Sequence, residues 1–135
     1  MRRQGIWHPR LIQVLTALGH GDTIVVADAG LPVPRHVEVI DLVWAAGQPD
    51  FVPVLRAIVD EAVVESAVVA NELSDATVRT AVQELFAGDA LLHVSHDELK
   101  RLTGEAVAVV RTGAITPYAN VILVAGVPFG AQPDQ

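Results

Sequence analysis

Apolar side chains recur along this chain with two different periods. Between residues 9 and 18 they fall at Leu11, Val14, Leu15 and Leu18, the spacing of one helical face, and Gly19 supplies a C-terminal stop. Residues 22–27 form a continuous run rich in β-branched side chains, closed by Asp28-Ala29-Gly30, which predicts a buried strand ending in a turn. Pro32 and Pro34 hold the next segment extended. Residues 37–45 read as extended chain running into a short helical turn, broken at Gly47-Gln48-Pro49-Asp50. Asp50 is placed to cap a helix over 51–60, with Pro53 tolerated in its first turn. Further along, strands are predicted over 63–69, 90–94, 107–110 and 121–127. Helices are predicted over 71–87, capped by Ser74 or Asp75 and stopped at Gly88, and over 97–102. Strands alternating with helices in this way imply an α/β fold. The expectation is a three-layer single domain over 1–135, its mostly parallel central sheet covered by helices on both faces, with 129–135 a loose tail.

Composition narrows the function. The 135 residues carry 9 Lys+Arg against 16 Asp+Glu, a formal charge of −7, and no basic block that would neutralise a run of phosphates, so nucleic acid is disfavoured as a partner. With 51% apolar and 19% charged residues the chain is not a disordered one. The absence of cysteine excludes a disulfide scaffold, a thiolate metal site and a cysteine nucleophile. The longest uncharged apolar stretches, 107–110 and 121–127, fall far short of the ~20 residues of a spanning helix. Met1-Arg2-Arg3 is followed by no apolar signal segment, so no membrane association and a cytoplasmic location are expected. A mean hydropathy of +0.41 is high for so small a domain. A Val/Ala-rich buried sheet accounts for part of it, and subunit interfaces that hide apolar surface would account for more, so a homo-oligomer is expected.

Five positions offer chemistry. His20, held between Gly19 and Gly21, is either a helix C-terminal imidazole interacting with the dipole or a proton-transfer group. Asp28 stands at the carboxyl end of the first strand, where open α/β sheets place ligand crevices, although an Asx-turn closing that strand is the plain alternative. His96 also follows a strand, and Tyr118 and Asn120 lie behind Pro117, which limits the backbone and can aim the phenol. The five histidines (8, 20, 36, 93, 96) include no i,i+4 pair, and His93 with His96 would need a helix that the strand-like 91–94 denies, so no metal is expected. There is no glycine-rich phosphate loop and no Gly-x-Ser-x-Gly elbow. Trp7 and Trp44 read as core or interface side chains. The remaining set moves protons and holds hydroxyls without a cofactor, and beside a charge of −7 it suits neutral polyols better than anions.

These residues also carry a resemblance. Gly19-His20-Gly21-Asp22-Thr23, Asp28-Ala29-Gly30-Leu31-Pro32-Val33-Pro34, Ile40-Asp41, Asn71-Glu72, Ser95-His96, Arg111-Thr112-Gly113 and Pro117-Tyr118-Ala119-Asn120 are similar, in order, to motifs of the ribose pyranase and fucose mutarotase family. The likeness spans nearly the whole chain and is weakest across 74–92. His8-Pro9-Arg10-Leu11 and Gly21 resemble the fucose branch, whereas Gly30, His96 and Ala119, nearer the site, resemble the ribose branch. The resemblance implies cofactor-free interconversion of β-D-ribopyranose and β-D-ribofuranose in a ring-shaped homo-oligomer with sites between subunits. It implies His20 as the catalytic residue and Asp28, His96, Lys100, Tyr118, Ala119 and Asn120 as sugar-binding residues. L-fucose mutarotation is the alternative within the same chemistry; a non-catalytic sugar-binding module is the alternative outside it.

Overall fold

Within β1 (Thr23–Ala27), Ile24 and Val26 face one side of a sheet while Val25 and Ala27 face the other, and all four are buried. A strand apolar on both faces has to lie between two covering layers. The computed structural model, which describes residues 1–130, supplies both. The sheet has six strands: β1, β2 (Glu38–Asp41), β3 (Val64–Ala70), β4 (Leu91–Val94), β5 (Ala108–Arg111) and β6 (Val121–Ala125). Their order is β2-β5-β1-β6-β3-β4. The pairs β2·β5, β5·β1 and β3·β4 are parallel, whereas β6 is antiparallel to both β1 and β3. Five strands therefore point one way and the sixth is reversed in the middle.

Three helices cover one face: α1 (Pro9–Ala17), α2 (Phe51–Glu61) and α3 (Ala76–Leu85), through Leu11 and Val14, Phe51, Leu55 and Ile58, and Val78 and Val82. The single helix α4 (His96–Thr103) covers the other through the fully buried Leu99, packed with Val25, Val68, Val109 and Ile122. The expected α/β, three-layer arrangement with a mostly parallel sheet is what forms. Among the described residues no helix is long and apolar enough to cross a membrane.

Local chemistry explains where boundaries move. Residues 37–45 hold no helical turn; Glu38–Asp41 pair with β5 as an edge strand, and the Leu42 N–H donates to the Arg111 carbonyl at 2.9 Å, extending the ladder. The helix expected from residue 71 begins at Ala76 because the preceding residues are committed elsewhere. The Asn71 N–H donates to the Val94 carbonyl at 2.6 Å, so the chain still follows the β3·β4 ladder, and Asp75 is the cap, accepting the Val78 N–H at 3.0 Å. Asp50 caps α2 as expected, accepting the Phe51 N–H at 2.7 Å. The strand expected over 121–127 stops at Ala125, where Gly126 turns to donate its N–H to the Val63 carbonyl at 2.9 Å. Of the expected loose tail, residues 131–135 lie outside the described residues.

The core and the cap differ in weight. Replacing Ile58, fully buried under the sheet, with Ala is expected to cost about 2–5 kcal/mol in chemical denaturation. Asp75→Ala, which removes one cap on a half-exposed helix, is expected to cost about 1 kcal/mol in the same measurement.

Candidate functional site

Because β6 is reversed, its first residue lies at the same edge of the sheet as the last residues of the other five strands. Asp28 follows β1, Glu72 and His96 follow β3 and β4, and Tyr118, Ala119 and Asn120 lead into β6. Asp28 and Asn120 bind each other reciprocally: the Asp28 N–H donates to Asn120 Oδ1 at 2.8 Å, and Asn120 Nδ2 donates to Asp28 Oδ2 at 3.2 Å. The Gly30 N–H donates to Asp28 Oδ1 at 2.9 Å, the Asx-turn expected from the sequence. Asn120 and Ala119 are completely buried, and the amide of Asn120 is committed to Asp28. Asp28 is thus fixed on both carboxylate oxygens yet half-exposed, beside an open depression of about 370 Å³ that it lines with Ala29, Gly30, Ala114, Ile115, Thr116 and Pro117. That volume falls in the range that takes a small molecule.

Tyr118 has φ of 60°, an unusual value for a bulky side chain, held where the Asn120 N–H donates back to the Tyr118 carbonyl at 2.9 Å. Its ring meets the His96 imidazole edge-on, with centroids 4.9 Å apart and planes at 78°. His96 opens α4, where Ser95 Oγ caps the Glu98 N–H at 3.1 Å. Both carboxylate oxygens of Glu72 accept the His96 N–H at 3.0 Å, an anion placed on the positive end of the helix. Nδ1 of His96 is buried and has no hydrogen-bond partner among the described residues. Lys100 lies one turn on from His96, its ammonium 3.4 Å from Asp97. Nearby, hydrogen bonds from Arg101 hold the Glu98 carboxyl below its ordinary value.

His20 is elsewhere. It precedes β1, so the five residues of that strand, about 17 Å of extended chain, separate it from Asp28. It occupies the second position of a β-turn closed by the Asp22 N–H donating to the Gly19 carbonyl at 3.0 Å. Gly21 in the third position has φ of 87°, the value that a type II turn demands and that glycine adopts without strain. The imidazole is exposed, and its Nε2 lies 3.0 Å from Glu65 Oε2. One copy of the chain therefore brings Asp28, His96, Lys100, Tyr118, Ala119 and Asn120 to one edge and leaves His20 at the opposite edge. Within one chain Asp28 is too far from His20 to hydrogen-bond it. Sequence reasoning assigned no role to Glu65 or Glu72. A lone carboxylate inside the apolar run 63–70 was the available signal for the first, and the Asn71-Glu72 motif was the signal for the second.

Three comparisons bear on this arrangement. The family model described as the RbsD / FucU transport protein family matches residues 1–128. Relatives named D-ribose pyranase include one from Thermosipho africanus, 43% identical over 129 residues covering 96% of this chain and 100% of that protein. Another, from Bacillus velezensis, is 44% identical over 131 residues with the same coverage. Among solved structures, Bacillus subtilis RbsD complexed with D-ribose superposes with a TM-score of 0.90 at 44% identity, covering 96% of this chain and 100% of that one. The fucose mutarotase of Streptococcus pneumoniae in complex with L-fucose shares the fold alone, with a TM-score of 0.76 at 24% identity over 90% of this chain and 94% of that one. With nearly its full length matched by the family model and by relatives above 40% identity, the chain belongs to the RbsD/FucU family.

Proposed function

We propose that this protein is a D-ribose pyranase, an isomerase that interconverts the six- and five-membered ring forms of ribose. The observation that carries the proposal is the edge built around Asp28. A fixed carboxylate beside an open depression, and a phenol packed edge-on against an imidazole, stand at the same edge of the sheet, in a chain 44% identical to a protein solved with ribose. Ribose is favoured over fucose because the likeness to ribose pyranases is full-length and above 40%, whereas the likeness to the fucose mutarotase reaches 24%.

Both ring forms are hemiacetals, so exchange requires opening to the aldehyde. Protonated His20 donates to the ring oxygen as the C1–O bond breaks, and the anomeric hydroxyl loses its proton as C1 becomes a carbonyl. Rotation of the open chain presents a different hydroxyl, and closure reverses both transfers. The reaction also runs in water, so positioned acid–base catalysis, typically ~10²–10⁴-fold, is of the right order. Asp28, held by Asn120, accepts from sugar hydroxyls, and Tyr118, His96 and Lys100 hold the others. Nothing in these steps calls for a cofactor, and the expected cytoplasmic location goes with a reaction on free sugar.

The separation of His20 from Asp28 supports a site made by two copies. Joining the His20 edge of one chain to the Asp28 edge of another is a head-to-tail contact, the kind that forms a ring when the rotation between copies closes. Both edges carry exposed apolar side chains suited to burial. Val63 (44% exposed) and Val107 (45%), just before β3 and β5, lie at the same edge as His20, and Trp44 (78%) and Ile115 (76%), beyond the ends of β2 and β5, lie at the same edge as Asp28.

Two measurements test this. His20→Ala is expected to lower ribose ring exchange, read by saturation-transfer NMR, by roughly 10²–10⁴-fold while ribose binding remains measurable; parental exchange in that variant would remove His20 from the mechanism, and bound sugar without exchange in the parent protein would make it a binding module. Refolding inactive His20→Ala and Asp28→Asn chains together in equal amounts is expected to restore about one quarter of parental activity, the fraction of shared sites that draw both intact residues. No restoration would place each site within one chain.

A further inference from the structure

The His20 edge contains one more arranged group. β3 and β6 pair in register from Ser66↔Val124 to Val69↔Val121, but Val64 pairs with Ala125, so Glu65 is one residue more than the ladder needs. It is the extra residue of a β-bulge, a device that re-aims a side chain. Three contacts tie that bulge to the turn bearing His20. The Gly21 N–H donates to the Ala125 carbonyl at 2.9 Å, the Ala125 N–H donates to the Asp22 carbonyl at 2.8 Å, and the Gly126 N–H donates to the Val63 carbonyl at 2.9 Å. Gly126 also makes room: a Cβ there would lie 3.2 Å from the Glu65 Cβ and 3.3 Å from a Val63 methyl. The end of β6 thus carries the histidine turn on one side and the bulged carboxylate on the other. Asp22, the other nearby acid, is occupied by the Gly19 N–H at 2.8 Å, which leaves Glu65 as the carboxylate facing the imidazole among the described residues.

We infer that Glu65 is the positioning residue of His20, and that the proton passed to and from the sugar's ring oxygen travels on Nδ1. This rests on the proposal that His20 is the proton carrier. The carboxylate can hold the ring at 3.0 Å only if Nε2 bears a proton, so Nε2–H stays in place in both charge states. Nδ1 is then the nitrogen that gives up its proton as the ring opens. The C1–O electron pair moves to the ring oxygen, Nδ1–H transfers to that oxygen, the anomeric proton leaves to water, and the imidazole is left neutral with Nε2–H intact. Closure returns the proton to Nδ1. Glu65 fixes the ring's orientation and its tautomer, as a carboxylate does behind the working imidazole of an acyl-transfer triad.

The test is a double-mutant cycle read by ribose exchange NMR at saturating sugar, with ribose affinity and thermal unfolding measured on each variant. Glu65→Ala is expected to slow exchange by at least about tenfold, to leave the ribose Kd within about twofold, and to add nothing in a His20→Ala background. Glu65→Gln, which keeps the side chain's length and fills the bulge, is run through the same cycle in case Ala at 65 lowers the unfolding temperature. Parental exchange in a folded Glu65 variant, or the same loss with and without His20, would overturn the inference; an unchanged rate in His20→Ala alone would overturn the underlying proposal instead.

Discussion

The reversal of β6 is the constraint on which the arrangement depends. A parallel strand in its place would begin at the edge where β1 begins, and Tyr118, Ala119 and Asn120 would then stand beside the histidine turn. Running antiparallel between β1 and β3, β6 delivers Asn120 to Asp28 at its start and Ala125 to the Gly21 N–H at its end. Its side chains are buried on both faces, Val121 and Leu123 toward α1–α3 and Ile122 toward α4. Each such side chain stabilises the fold by about 1.5–3 kcal/mol when removed from water, so the strand that sets both edges is among the best anchored.

Much of this was legible in the sequence. The 3.6 period of 9–18 and the β-branched run of 22–27 each reflect burial against a face, which periodicity reports directly. So does the Asp50 cap of α2, because the cap acts within one turn. The features that escaped depend on partners far along the chain. Glu38–Asp41 became a strand because β5, seventy residues on, offers it a ladder, and the helix predicted from 71 was shortened because Asn71 and Glu72 bind Val94 and His96. The candidate site divided in the same way. His20, Asp28, His96, Tyr118 and Asn120 were named from their residue types and places at strand ends. Their partition between two edges was not, because the direction of β6 is a property of topology. Glu65 drew no role, because the bulge that turns it toward His20 is defined only by the pairing of β3 with β6.

The Asp28 edge also holds structure that folding alone does not call for. Tyr118 sits in a backbone conformation that costs on the order of 1–3 kcal/mol for a non-glycine residue. A glycine would relieve it but would lose the ring packed edge-on against His96. His96 in turn leaves Nδ1 buried without a partner among the described residues. Strain in Tyr118 and an unsatisfied nitrogen in His96, next to one another, fit the sugar-holding role proposed above for both residues.

Consider what this geometry asks of assembly. β1 is an extended strand buried on both faces and paired on both sides, so no motion of the folded chain can bring its ends together. If His20 and Asp28 act on one sugar, as proposed above, the second copy is part of the catalytic apparatus, and catalysis depends on the same apolar contacts that hold the copies together. That gives the high mean hydropathy of +0.41 a functional reading. Trp44 and Ile115 on one edge, and Val63 and Val107 on the other, would be liabilities in a monomer, and they lie where each half-site needs its complement. Binding that stabilises the assembly and binding that completes the site are then one event, so loss of subunit contact and loss of activity should share a single concentration dependence.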